Sequence, residues 1–527
     1  MSRPRSRTTP GIGRSELLLV AGTTTVFLLL LVTWAYVNPA LHGPDEVANV
    51  DAVVHLALGQ PWPATGDLHY VQGLLAQNVP AHLPPAVQRG TFADIIGDGT
   101  LNPRGNPMSQ HPPTYFLVQA AVAHLIDFGS RRWDLVVLVM RLVDVVVAAP
   151  LPVLVWASVR RATRSPRLAV AAAAVLLAVP QVVQLASSVS LWVPVITAGA
   201  LATWLAVRVL TGDRSWLTAV ALGGALSVGT AVMAGGWMAV PFALVTVLAA
   251  RRSVRAAREV VGRVLRALVV LAVPVVTTGW WYARQFIRTG SPQPDPFAPV
   301  TKQWPAGEGP DPVQFGGTFW NGISDSFWGQ LGRYEWPLSP IIVDSATVIA
   351  LTAVVWAASR RTVDRRTMLV VGVFPATALV VVLARDWATY VGHLSVRVDQ
   401  GRFLFPALAA LLVVQAVGWR GLVVREQVRV RLARAVLVVA PLIALAALGL
   451  LYVGSFEEFV FRVSAAGKQT LWDSLPVGRG VLGGLVVLTA VVGAATAVSL
   501  WRWFGRRTAP APATAPARLP ADRRTDH

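Results

Sequence analysis

The chain has 527 residues, 54% of them hydrophobic and only 14% charged, and its mean hydropathy is +0.55. These values exclude an ordinary soluble globular protein and imply repeated membrane crossings. The formal charge of +19 raises nucleic acid as a partner, but basic residues cluster in short loops between apolar runs. The clusters are Arg160, Arg161, Arg164 and Arg167, then Arg251 to Arg266, then Arg360 to Arg366. That is the positive-inside pattern of membrane orientation, so no nucleic acid is expected. The chain has no cysteine, which excludes disulfides, thiolate metal sites and cysteine nucleophiles.

From the N-terminus, Arg3, Arg5, Arg7 and Arg14 precede an apolar run from Leu17 to Val37. The run is long for a signal peptide and no small-x-small cleavage site follows, so it reads as a retained first span. Stretches near the ~20 residues needed to cross a bilayer then recur. The predicted spans are 16–37, 133–157, 168–186, 191–210, 215–233, 236–250, 267–283, 340–358, 367–384, 403–419, 435–453 and 479–500. A shorter apolar piece, 114–128, either crosses or stays partial. The expected fold is therefore an all-α polytopic membrane protein with 12–13 transmembrane segments over residues 1–507. If 114–128 stays partial, every other basic loop and both termini face the cytoplasm. Three long loops, 38–113, 284–339 and 454–478, and a shorter one, 385–402, then face outward, in a multi-pass protein of a bacterial plasma membrane. Their length and their tryptophans suggest an ordered surface carrying interfacial helices. From Thr508 the Ala-Pro repeats and scattered arginines read as a disordered cytoplasmic tail. No internal repeat of the kind common in secondary transporters is visible.

The first outer loop opens Gly43-Pro44-Asp45-Glu46, two adjacent acids in a chain with only 27. Pro44 suits the first helical position, Val47, Val50, Val54 and Leu58 form one stripe, and Gly59 closes the helix. At about 100° per residue, Asp45 falls opposite that stripe beside Asn49 and Ala52, on a helix lying in the membrane interface. A carboxylate in a helix's first turn is favoured in its ionised form and can accept a proton from an attacking alcohol. Ordinary capping charges would give the same text. Asp51 and His55, at i and i+4, are expected to pair by a hydrogen bond; with Asp45, they also raise a possible divalent cation. Gln110-His111-Pro112-Pro113-Thr114-Tyr115 fixes a turn at the entry to 114–128, with polar tips on His111 and Tyr115. Within 133–157, Arg141 and Asp144 are expected to pair with each other, because either alone is costly in a bilayer.

Taken in order, these motifs resemble the GT-C superfamily of integral-membrane glycosyltransferases, which includes protein mannosyltransferases and lipid A aminoarabinose transferases. The resemblance rests on Asp45-Glu46 after the first span and His111-Pro112-Pro113-Thr114-Tyr115 at the next apolar segment. It also rests on Gly279-Trp280-Trp281-Tyr282-Ala283-Arg284, Ser326-Phe327-Trp328-Gly329 and Gln400-Gly401-Arg402-Phe403, and a poorly characterised bacterial branch is the nearest in pattern. It implies transfer of a sugar from a polyprenyl-phosphate-linked donor to a glycan, lipid or protein acceptor at the outer face. Asp45 would be the general base, with Glu46 beside it in the catalytic pair. Arg284 and Arg402, at the outer ends of their spans, are nominated for the donor phosphate, since guanidinium binds phosphate bidentately. His111, Tyr115 and Gln400 would line the substrate cavity, and no metal site is assigned.

Two departures from the family pattern stand out. Relatives often carry Asn-Asp where this chain has Ser190-Leu191-Trp192, and a lysine near the position of Gly235. They motivate an alternative, a catalytically silent subunit that binds a lipid-linked sugar. A flippase or transporter of a lipid-linked saccharide is a further alternative, although few ionisable residues fall within the spans.

Overall fold

The computed structural model describes residues 11–77, 83–250, 257–295, 302–359, 365–394 and 400–506. The expected tail from Thr508 lies outside them, as do Arg3, Arg5 and Arg7 and, of the basic clusters, Arg251, Arg252, Arg255, Arg360 and Arg361. The chain is an all-α polytopic membrane protein whose strands form only two short antiparallel pairs, 69–71 with 101–105 and 330–331 with 336–337, among the described residues.

Nine helices among the described residues are long and apolar enough to cross a bilayer. They include Arg14–Val37, Trp133–Thr163, Trp192–Leu210, Glu259–Thr289, Arg365–Gly392, Glu426–Phe456 and Arg479–Gly505. A further apolar pair of helices, Pro166–Ala178 and Pro180–Ala186, is sharply bent, the two meeting at 73°. Pro180 accounts for the bend, since proline removes an N–H and clashes with the preceding turn. The predicted spans 215–233 and 236–250 are shorter helices, Trp216–Thr230 and Ala239–Ala249. Helices approach closely where side chains are absent. A Cβ on Gly418 would lie 2.0 Å from the Ala353 carbonyl oxygen, so only glycine fits there.

Polar contacts divide the molecule into two faces. On the arginine face, Arg160 and Trp156 both donate to Glu16 (2.8 and 3.1 Å), Arg167 pairs with Glu426 (2.5 Å), and Arg214 with Glu259 (3.1 Å). On the opposite face the long loops clasp one another. Tyr36 donates its hydroxyl to the Gly478 carbonyl (2.8 Å), and buried Asp134 holds both Arg89 and Arg132. Arg89 and Arg132 also donate to the Asp473 and Pro476 carbonyls, tying the first loop to the third.

This division answers the question of 114–128. The helix there, Thr114–Leu125, has 12 residues and reaches only about 18 Å at 1.5 Å per residue. The segment before it is fastened to the first outer loop, where Asn106 donates to Ala48 and Asp51 (2.9 and 2.7 Å). The segment after it returns to the same face, where Arg132 bridges to Thr91. Thr114–Leu125 therefore enters and leaves on the loop face without crossing.

The helix after the first span differs from its expected form. It runs Glu46–Ala57, with Asp45 as its N-cap and Pro44 outside it. Ten of its twelve residues are buried, Asn49 and Asp51 included, so it is a core element and not an interfacial one. Thr114–Leu125 packs on it, and the segment from 69 to 110 covers it. Gly59 closes the turn that follows in a left-handed conformation, φ 75°.

Candidate active site

Asp45 and Glu46 are neighbours in sequence with opposite fates. Glu46 is fully buried, and Arg141 grips both of its oxygens (2.7 and 2.6 Å). The Gly43 and Val189 amides donate to it as well, at 2.9 Å each. Four donors saturate the carboxylate, so Glu46 anchors the loop to two spans. Arg141 thus pairs with Glu46 and the carbonyls of Ala35, Asn38 and Pro39, not with Asp144 as the i,i+3 spacing suggested. Asp144 accepts instead from the Tyr115 hydroxyl (2.7 Å) and the Ser190 amide (3.0 Å). Tyr115, expected to line a substrate cavity, is turned into that buried network.

Asp45 takes a left-handed backbone conformation, φ 54° and ψ 14°, with its side chain 44% exposed. Asn49 supports it by donating to its carbonyl (2.9 Å). Its carboxylate meets the Arg402 guanidinium at 2.5 Å, although the two residues lie 357 positions apart in the chain. Arg402 itself is almost buried, 11% exposed at the side chain, and aromatic rings surround it. Trp192 and Tyr334 lie 5.4 Å from its guanidinium carbon and Phe403 lies 6.0 Å away, within cation–π range.

The position of Arg402 follows from Gly401. A Cβ there would stand 2.5 Å from the Phe327 amide nitrogen, so the Gly401–Ala407 turn seats directly on the Pro312–Trp328 helix. The Gly401 amide also donates to Ser326 (2.7 Å). The Ser326-Phe327 and Gln400-Gly401-Arg402-Phe403 motifs thus form one contact. Gln400 caps that turn, with its amide oxygen buried and unpartnered.

His111 completes the cluster. It is buried, its Nδ1 has no hydrogen-bond partner, and burial pushes it down to about 4 from 6.5. Asp45 opposes that shift, while Arg402 and Arg385 reinforce it, so all three charges act on the ring. Asp51 and His55 do not pair. Asp51 accepts from the Val71 amide (2.8 Å) and Asn106 (2.7 Å), and His55 bonds the Pro61 carbonyl (2.9 Å). Burial raises Asp51 to about 7. Arg284 is exposed on Trp280–Thr289, and no ion pair or hydrogen bond joins it to Asp45, His111 or Arg402. Among the described residues no three His, Asp or Glu side chains gather as a metal site.

Residues 110–281, about a third of the chain, match the profile of dolichyl-phosphate-mannose-protein mannosyltransferases. Among solved structures, this chain is similar to ArnT from Cupriavidus metallidurans in the apo state. The two share 15% identity over 93% of this chain and 75% of that one, with a TM-score of 0.48. It is also similar to the apo oligosaccharyltransferase of Archaeoglobus fulgidus (11% identity, 91% and 56% covered, TM-score 0.41). A third is the S. cerevisiae Pmt1-Pmt2 complex bound to the sugar donor (14% identity, 54% and 35% covered, TM-score 0.37). Among curated protein sequences none matches.

Three residues of the candidate site were not singled out as site residues from sequence: Trp192, Tyr334 and Arg385. Trp192 belongs to the departure from the family pattern, and here its indole packs on Arg402. Arg385 lies over the Phe403 ring at 5.7 Å. A polar residue directly before or after an apolar run is the signal that marks Arg385, as it marks Arg402. Tyr334 offers no such signal. Gly235 sits on the turn Ala234–Met238 between two short helices, and its Cβ position faces Met233.

Proposed function

We propose that this membrane glycosyltransferase moves a sugar from a polyprenyl-phosphate donor to an acceptor hydroxyl at the loop face, taken as the outer face, with Asp45 as general base. The observation that carries the reading is the Asp45–Arg402 pair, an exposed carboxylate against a guanidinium caged by aromatic rings at the mouth of the spans. Asp45 accepts the acceptor's proton as its oxygen attacks the anomeric carbon. The bond from that carbon to the phosphate oxygen breaks, and the polyprenyl phosphate leaves with its charge matched by Arg402. Inversion at the anomeric carbon follows from a single displacement. The arginine-rich loops on the opposite face support the outward assignment. A phosphate at headgroup depth leaves the lipid tail in hydrocarbon, which suits a site where loops meet spans.

The test is the purified protein in detergent with a panel of polyprenyl-phosphate sugars and candidate acceptors. Transfer of sugar with release of polyprenyl phosphate is expected from at least one donor. Binding of donors with no turnover on any acceptor supports the silent-subunit reading instead.

A further inference from the structure

Tyr334 sits in the tight turn joining Gln330–Leu331 to Trp336–Pro337, with φ 67°. A left-handed backbone is unfavourable for a bulky aromatic residue, by on the order of 1 kcal/mol, and persists only where the surroundings impose it. Here they do. Gln184 donates to the Gly332 carbonyl (2.7 Å), the Glu335 amide closes on Leu331 (3.0 Å), and Trp336 stacks on His42 at 5.3 Å. The turn is fastened on both sides, and the effect is to lay the Tyr334 ring against Arg402.

The ring alone would serve that contact, and phenylalanine would supply it. The hydroxyl is the unexplained part. It is buried and has no hydrogen-bond partner, a state that costs roughly 1–3 kcal/mol when left unmet. It also lies within the electrostatic reach of both Arg402 and Asp45. His111 Nδ1, under the influence of the same two charges, is another buried polar atom left without a partner. Strain and an unmade hydrogen bond thus meet in one residue at the face of the cationic centre. That is the pattern of a group prepared for a ligand.

We infer that Tyr334 contacts the donor, its hydroxyl donating a hydrogen bond to a phosphate oxygen held by Arg402. The inference rests on the proposed lipid-phosphate donor and adds a residue that determines how tightly the phosphate is held. Arg402 supplies the charge and Tyr334 the directional donor. Binding then supplies the partner that the hydroxyl lacks.

Tyr334→Phe removes the hydroxyl and keeps the ring on Arg402. Thermal unfolding in detergent, titrated with undecaprenyl phosphate and separately with undecaprenol, reads the effect. Without lipid the variant is expected to melt at or above the wild-type temperature, because only an unpaired group is lost. Undecaprenyl phosphate, and not undecaprenol, should stabilise the wild type, and the variant should bind it about tenfold more weakly. Equal affinity of variant and wild type for undecaprenyl phosphate overturns the role of Tyr334 and leaves the donor reading intact. A lower melting temperature of the lipid-free variant also overturns it, making the hydroxyl a structural group. A wild type indifferent to the phosphate removes the donor reading itself.

Discussion

Asp45 and Glu46 show how one backbone torsion divides two like residues between the surface and the core. The left-handed Asp45 leaves its carboxylate exposed against Arg402, while Glu46 begins the helix inside the core against Arg141. Removing the charge of Glu46 leaves Arg141 buried and uncompensated. Glu46→Gln is therefore expected to destabilise the protein by about 3–5 kcal/mol, seen as loss of monodisperse protein and a lower melting temperature. That this acidic pair is unusual was readable from its rarity. Which of the two acids is buried was not, because the partner of Glu46 lies 95 residues away and only the fold delivers it. The same holds for Arg141, whose local spacing pointed to Asp144. His111 sets a pH dependence. Its folded value of about 4 lies below the ordinary 6.5, so below about pH 6.5 the unfolded chain binds a proton that the folded one refuses. Stability should fall as pH drops through that window, by roughly 2 kcal/mol between pH 7 and 5. Melting temperatures of the wild type and His111→Gln across that range check this; the variant should lose less on acidification.

Among the elements, the spans were the most legible part, because hydropathy over about 20 residues is a property of the chain alone. The bend at Pro180 was not read in advance: it lies inside 168–186, which hydropathy alone makes a single span. The burial of Glu46–Ala57 was not legible. Its apolar stripe suggested one wet face, but residues from 69 to 110, far weaker in pattern, fold over that face and bury Asn49 and Asp51. Tyr334 was equally hidden, since an isolated tyrosine in a loop carries no periodicity. The contact between the Gly401–Ala407 turn and the Pro312–Trp328 helix is the element on which the site depends. Gly401→Ala puts a methyl 2.5 Å from the Phe327 nitrogen, which neither backbone can accept unmoved. The expected result is a destabilisation of about 1–3 kcal/mol with a larger loss of transfer, because Arg402 shifts off Asp45. Melting temperature and transfer rate measured on the same preparation separate the two effects.

For the whole molecule, the two-faced distribution of contacts makes topology testable, and the absence of cysteine makes it convenient. Val87 and Ser130 flank Thr114–Leu125 on the loop face, while Val424 lies in the turn between two spans on the arginine face. Val87→Cys and Ser130→Cys should react with an impermeant maleimide from the same side, and Val424→Cys only from the other. Labelling of Ser130→Cys from the Val424 side would mean that 114–128 crosses. The arginine distribution predicted this sidedness, since it acts over loops and not over particular contacts. The partial nature of 114–128 needed the structure, because its apolar length sits between a span and a core helix.

The most direct test of the Asp45–Arg402 site is sugar transfer by Asp45→Asn. The Asp45 side chain is half-exposed, but its substitution takes the carboxylate away from nearly buried Arg402, so a loss of stability of about 1–3 kcal/mol is expected and the comparison is made on folded, monodisperse protein. Removing a general base costs typically 10²–10⁴-fold in rate. Transfer from a polyprenyl-phosphate donor by purified, monodisperse Asp45→Asn should fall at least 100-fold, with donor binding retained. Transfer at the wild-type rate would contradict the site and leave the fold alone standing.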